Sequence, residues 1–198
     1  MSEPALPAPG RGPVWARPGS NAEGPVLSEA CPERSRRVEG AVRFVSRGPG
    51  ETRRLGARLG RLLRSGDTVL LSGDLGAGKT VFVQGVARGM GFEGGVSSKS
   101  FVLMGEYQGR QCKLYHADLY RLEAPEQAED LAVDEYCADG VLVAEWPERA
   151  PHVFPPDHLF VGFEVTGERG RTLALQAKGP RSGELLTVIE RSKQARKG

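Results

Sequence analysis

The run Gly73-Asp74-Leu75-Gly76-Ala77-Gly78-Lys79-Thr80 has the spacing GxxxxGK[ST]. Its chemistry is phosphate binding. The glycines let the backbone curl so that its N–H groups converge on phosphate oxygens, and the start of a following helix adds partial positive charge. Lys79 is placed to bridge β- and γ-phosphates, and the Thr80 hydroxyl to sit on Mg2+. The neighbouring sequence agrees. An apolar strand pattern, Thr68–Ser72, precedes the run, and a helical stripe of Val83, Val86, Ala87 and Met90 follows it. A chance match in a chain with 27 glycines is the bland alternative, and the strand–loop–helix context argues against it. The sequence predicts nucleoside triphosphate binding, with Leu75, Gly76, Ala77, Gly78, Lys79 and Thr80 around the phosphates.

Such a site needs acids to hold the metal and its waters, because Mg2+ prefers hard oxygen ligands. Two predicted strand ends supply them. Lys113-Leu114-Tyr115-His116-Ala117-Asp118 delivers Asp118, and Val141-Leu142-Val143-Ala144-Glu145 delivers Glu145. Ligands of open α/β sheets bind beyond the carboxyl ends of the strands, where both acids are expected. Taken singly, each acid reads equally well as a helix cap or a surface charge. Their shared placement after apolar strands favours a metal role. His116 lies two residues before Asp118 and so shares its face of the strand; a structural histidine and a functional one fit it equally. No NKxD-like strand-end motif occurs, which disfavours guanine recognition without establishing adenine.

The elements that must position these residues follow from periodicity. Val42 and Phe44 alternate with polar residues as in a short strand, and Glu51–Arg64 places Leu55, Leu59 and Leu62 at helical spacing, with Gly66 ending the helix. Lys79–Met90 is helical. Phe101–Tyr107 and Gln111–His116 read as strands joined at Gln108–Gly109, Glu126–Leu131 as a short helix, and Val141–Glu145 as a buried strand. His158–Val165 and Thr172–Gln176 alternate like a hairpin around Gly167–Gly170, and Glu184–Lys193 closes the chain as a helix. Interleaved strands and helices indicate an α/β fold: a three-layer P-loop NTPase-type domain with a largely parallel central sheet and a C-terminal antiparallel hairpin.

Composition sets the bounds. The 198 residues are 39% hydrophobic, enough for one modest core. Residues 1–40 hold seven prolines and five glycines without apolar periodicity. They read as a disordered leader, or as an over-extended start of the reading frame. The ATPase-type domain is expected over 41–180 and a basic C-terminal helix or tail over 181–198. Apolar runs are far shorter than the roughly 20 residues of a membrane span, and no signal-peptide order is seen. Three cysteines, Cys31, Cys112 and Cys137, form neither a CxxC pair nor a disulfide framework and suit a reducing, cytoplasmic setting. The net charge of +2 hides asymmetry: Asp118–Glu148 carries ten acids against Arg121 alone, while residues 166–198 carry eight basic and three acidic side chains. That balance does not suit a protein that wraps nucleic acid by itself. Neither a DNA nor a membrane partner is expected.

Three segments in order make a resemblance specific: Gly73–Thr80, then His116-Ala117-Asp118-Leu119-Tyr120-Arg121-Leu122, then Glu145-Trp146-Pro147-Glu148. Together they resemble the bacterial TsaE (YjeE) family, small ATPases needed for threonylcarbamoyladenosine (t6A) at position 37 of tRNAs. The resemblance spans about Val42 to Gly179 and includes Glu51-Thr52-x-x-Leu55-Gly56 and Arg171-Thr172-Leu173-Ala174-Leu175. It implies ATP and Mg2+, with Thr80 and Glu145 at the metal and Asp118 acting directly or through water. Lys79, Asp118 and Glu145 become the catalytic candidates. Thr52 and Trp146 are implied to lie at the nucleotide, although core packing is an equal reading for an isolated tryptophan. One loop departs from the family's V-x-S-P-T-F pattern: Val96-Ser97-Ser98-Lys99-Ser100-Phe101 has Lys99 for proline and Ser100 for threonine. A less rigid, switch-like loop is expected there. Val81 also stands where many members carry a second threonine.

The resemblance implies an ATP-binding and ATP-hydrolysing subunit that drives or resets a transferase complex, with TsaD carrying the chemistry and TsaB as its companion. Transfer RNA would be reached only through that complex. The rivals are a P-loop small-molecule kinase, poorly supported because a lid needs more arginine than Arg121, and a nucleotide-binding scaffold with negligible turnover.

Overall fold

Val69, Leu70 and Leu71 are buried on both sides of their strand, as the continuous apolar run requires of a strand inside a covered sheet. The computed structural model describes residues 40–94, 104–122, 127–129 and 133–194. The expected leader up to residue 39, Cys31 within it, and the Val96–Phe101 loop with Lys99 and Ser100 lie outside the described residues.

In chain order the elements are β1 (Val42–Ser46), α1 (Pro49–Gly60), β2 (Thr68–Ser72), α2 (Lys79–Gly89), β3 (Met104–Gln108), β4 (Lys113–Asp118), α3 (Val133–Asp139), β5 (Gly140–Glu145), β6 (Leu159–Val165), β7 (Arg171–Ala177) and α4 (Pro180–Gln194). The sheet runs β1-β7-β6-β2-β5-β4-β3. Its centre is parallel, β6 to β2 to β5 to β4, and both flanks are antiparallel. The α/β expectation therefore holds as a mixed seven-stranded sheet with a parallel centre. The β6–β7 hairpin is no appendage: β6 pairs in parallel with β2, so the hairpin completes the middle of the sheet.

Alternation along the strands divides the core in two. Val69, Leu71, Leu114, Val141 and Val143 pack on one face against α1, α2 and α4. Leu70, Tyr115, Ala117, Leu142 and Ala144 pack on the other with Val133 of α3 and Leu119. That makes the three layers. Short 3-10 turns at Leu119–Arg121, Pro147–Arg149 and Pro151–Val153 finish the second face. Residues 127–129 form another such turn, within the segment expected to be helical.

Helix α1 starts at Pro49, whose missing N–H costs nothing at a first-turn position. It stops at Gly60, short of the expected Arg64. The cause is Asp67, whose Oδ2 accepts from the Arg64 backbone N–H at 2.9 Å and folds the chain into a tight turn with Gly66 at φ 91°. Asp67 is buried and forked by Arg181 of α4, with Nε to Oδ1 and Nη2 to Oδ2 both at 2.9 Å. With Leu185 and Ile189 buried in the first cluster, this ties the C-terminal helix into the fold. Helices α1 and α2 meet backbone to backbone: a Cβ on Gly56, Gly60, Gly85 or Gly89 would lie 2.2–2.3 Å from a carbonyl oxygen of the other helix. At these four glycines the phosphate-loop helix meets its neighbour with no side chain between them. Among the described residues no helix is long and apolar enough to cross a membrane.

Candidate functional site

The loop between β2 and α2 needs left-handed backbone, and glycine supplies it: Gly76 has φ 76° and Gly78 has φ 102°. Gly78 is the residue before α2, so Lys79 and Thr80 open that helix. Loop residue Leu75 projects into solvent, while Ala77 is fully buried. Arg171 of β7 supports the loop from outside, its Nε donating to the Ala77 carbonyl at 3.1 Å.

Lys79 is buried, with 4% of its surface exposed. Its Nζ donates to the Gly73 carbonyl at 2.6 Å and the Asp74 carbonyl at 3.0 Å, and lies 3.9 Å from the centroid of the Trp146 ring. Burial pushes the Lys79 ammonium below the ordinary lysine range, opposed by the charges of Glu145, Glu148, Asp118 and Asp74. Trp146 has φ 61°, ψ 48°, alone among described non-glycine residues in having positive φ. That left-handed backbone turns the chain out of β5 directly after Glu145 and sets the indole over Lys79. Its ring also packs on Tyr120, with centroids 4.9 Å apart.

Beside the loop, β2 and β5 pair in parallel, and Glu145 ends β5 opposite Leu71. The Thr80 hydroxyl donates to Glu145 Oε1 at 2.9 Å. His116, on β4, shares Nε2···Oε1 with the same oxygen at 3.0 Å, and both His116 and Glu145 are 3% exposed. Asp118 stands opposite Glu145 in the β4–β5 register at the same sheet end. Its Oδ1 accepts from the Tyr120 backbone N–H at 3.2 Å, capping the 3-10 turn that carries Tyr120 to Trp146.

The structure therefore brings Lys79, Thr80, Glu145 and Trp146 into one contact network, with Asp118 one strand away. Thr52 is close but buried: its hydroxyl shares a 2.9 Å bond with Ser46, and its methyl lies 4.0 Å from where a Cβ on Gly78 would stand. Periodicity offered no signal for Arg171 as a support of the loop, nor for α3, whose only sequence mark is an acidic run. His116, for which the sequence allows two readings, proves to be bonded to the candidate metal acid.

Among the described residues no group of three or more His, Cys, Asp or Glu is arranged to chelate a metal by itself. The donor set suits an ion that keeps waters and phosphates as its other ligands: a hydroxyl and a carboxylate, both hard oxygens, 2.9 Å apart, with a second carboxylate on the next strand end. Mg2+ fits that description. An open cleft of about 480 Å3 is lined by Arg47, Gly48, Glu51, Arg54, Arg169 and Arg171 among others, and of these Arg171 also touches the loop. The cleft is of a size to take a nucleoside.

A family model described as threonylcarbamoyl adenosine biosynthesis protein TsaE matches residues 46–173. The chain is 38% identical over 135 residues to the tRNA threonylcarbamoyladenosine biosynthesis protein TsaE of Treponema pallidum, covering 68% of this chain and 99% of that one. It is 35% identical over 144 residues to the protein of the same name from Bacillus subtilis, covering 72% and 90%. Among solved structures, the crystal structure of Bacillus subtilis YdiB superposes with a TM-score of 0.66 at 30% identity, covering 77% of this chain and 96% of that one.

Proposed function

The chain belongs to the TsaE family of tRNA threonylcarbamoyladenosine biosynthesis proteins, and from that premise we propose that it is an Mg2+-dependent ATPase whose turnover drives or resets the TsaD–TsaB transferase complex. One observation carries the reading. The phosphate loop and the Thr80–Glu145 pair meet at the carboxyl ends of adjacent parallel strands, where an α/β sheet binds its ligand.

Each residue then has a role. Loop N–H groups and the start of α2 cradle the phosphates, and Lys79 leaves the Gly73 and Asp74 carbonyls to meet phosphate oxygens, an exchange of neutral acceptors for anionic ones. Thr80 and Glu145 would hold Mg2+, with Asp118 reached directly or through water. When bound, the ion neutralises charge developing on the transferred phosphoryl group. Glu145 and Asp118 orient the water beside it. Trp146 and Thr52 close the loop from either side, and the cleft bounded by Arg171 takes the nucleoside. The site lies within 41–180. The leader, 1–40, is assigned no role in it, and 181–198 contributes through the Arg181–Asp67 fork.

The experiment is ATP hydrolysis by the full chain, alone and with TsaD, TsaB and tRNA. Slow turnover that rises when the partners are added supports the reading. Turnover that does not change with the partners, or phosphoryl transfer to a small molecule, overturns it.

A further inference from the structure

Glu145 is gripped from two sides at one oxygen. Thr80 Oγ1 donates to Oε1 at 2.9 Å from α2, and His116 Nε2 shares a 3.0 Å bond with the same Oε1 from β4. A carboxylate oxygen only accepts, so Nε2 carries the proton in this pair. Among the described residues the other oxygen, Oε2, takes no hydrogen bond. The His116 side chain is 2% exposed and that of Glu145 4%. The imidazole therefore cannot reach solvent-borne phosphate or water directly; it reaches the site only through Glu145.

Elements fix this arrangement tightly. In the β4–β5 register His116 stands opposite Val143 and Asp118 opposite Glu145. Alternation puts Leu114, His116 and Asp118 on one face of β4, and Leu114 lies in the cluster under α1 and α2. His116 thus projects toward the face from which Thr80 approaches. The histidine comes from two register positions deeper in the sheet than the carboxylate it touches, so it meets Glu145 from below.

We infer that His116 is a positioning residue for the metal carboxylate: its Nε2–H anchors Glu145 Oε1 from inside the sheet and leaves Oε2 for the metal shell. The inference rests on the Mg2+-dependent reading given above. A flexible glutamate loses rotamer freedom when it grips an ion, and a buried donor already holding it removes some of that cost. Removing such an outer partner typically weakens metal affinity by about 10–100-fold. His116 adds no contact to the phosphates, so nucleotide affinity without metal should not depend on it.

The test is Mn2+ binding to the ADP complex of the full chain, followed by electron paramagnetic resonance, in wild type, His116→Asn, His116→Gln and Glu145→Gln. ADP affinity in EDTA and thermal melting are measured alongside. Glutamine can place an amide N–H near the position of Nε2, whereas asparagine reaches only the position of Nδ1. His116→Asn is expected to weaken Mn2+ by about tenfold or more, with His116→Gln restoring most of the loss and ADP affinity in EDTA unchanged throughout. If both His116 variants bind Mn2+ as wild type does while Glu145→Gln binds weakly, the histidine has no positioning role. Equal Mn2+ losses in Asn and Gln, tracking a lowered melting temperature, would make His116 a packing residue and overturn the inference too. If wild type and Glu145→Gln bind Mn2+ alike, the metal reading of Glu145 itself has failed.

Discussion

The Lys79 ammonium lies 3.9 Å from the centroid of the Trp146 indole while donating to the Gly73 and Asp74 carbonyls. The cation that the proposed function assigns to the phosphates thus rests on its own loop and against an aromatic face. On that reading, binding ATP would trade these contacts for phosphate oxygens. In a Trp15→Phe background, where Trp146 is the remaining tryptophan, indole emission should shift on ATP addition. Lys79→Ala should weaken ATP binding by at least about tenfold, the effect of a charged hydrogen bond worth about 1.5–3 kcal/mol. Near-parental affinity in a titration of Lys79→Ala would remove this loop from the binding site.

The same burial gives a prediction in protons. Burial holds Lys79 below the ordinary lysine range in the free protein, with nearby acids only partly restoring it. The folded pKa is depressed, so between it and the unfolded value near 10.5 the native state binds fewer protons than the unfolded one. Stability should therefore rise with pH in that window, and Lys79→Met should flatten the rise. Triphosphate brings negative charge to Nζ and raises the pKa again. ATP binding measured by calorimetry on the alkaline side, in buffers of different ionisation enthalpy, should show proton uptake that Lys79→Met abolishes. Proton release in wild type would contradict the assignment of Lys79 to the phosphates.

The acids should divide labour differently. On the proposed reading, loop N–H groups and Lys79 would supply most ground-state affinity, whereas Glu145 and Asp118 would act where charge develops. Glu145→Ala and Asp118→Ala should each lower kcat in the partner-containing complex by about 100-fold, with little change in ATP affinity. Asp118→Ala should also cost about 1 kcal/mol of stability, because its side chain caps the turn at Tyr120. An Asp118 variant that loses that stability but keeps kcat would reduce the residue to a cap.

Removing residues 1–40 tests the domain reading. Their sequence offers no apolar periodicity with which to join a core, so the truncated chain should melt and bind ATP as the full chain does. A large fall in melting temperature would show that the segment packs on the domain.

What is legible in the sequence follows a physical divide. Gly73–Thr80, Asp118 and Glu145 are readable because apolar strand runs announce their own carboxyl ends, and the structure puts all three at one sheet end. The parallel pairing of β6 with β2 is not readable, since the β6–β7 alternation looks like any hairpin and says nothing about the third partner. The end of α1 misleads because Leu62 continues the helical spacing, while Asp67 breaks the helix from outside by accepting the Arg64 N–H. The support that Arg171 gives the loop escapes notice for a different reason: its contact with Ala77 spans 94 residues of sequence. Local pattern reports local periodicity; it is silent on side chains that act across the fold.

The α1–α2 contact gives the sharpest stability test. A Cβ on Gly85 would lie 2.2 Å from the Arg53 carbonyl oxygen and 3.0 Å from the Ala57 nitrogen, both backbone atoms that cannot swing aside. Gly85→Leu must therefore push the helices apart, an overpacking cost of about 1–3 kcal/mol, or a fall of several degrees in melting temperature at roughly 2–4 °C per kcal/mol for a chain of this size. Gly167→Ala is the control, since nothing lies within 4 Å of its added Cβ; it should be neutral or slightly stabilising. The consequence reaches the site, because α2 opens with Lys79 and Thr80. Shifting that helix should lengthen the Thr80–Glu145 contact and lower metal-dependent hydrolysis beyond what the stability loss explains. Melting curves and hydrolysis rates for the two variants, taken well below either transition, separate the effects. A Gly85→Leu protein that melts and hydrolyses like wild type would mean that the helices do not meet through their backbones.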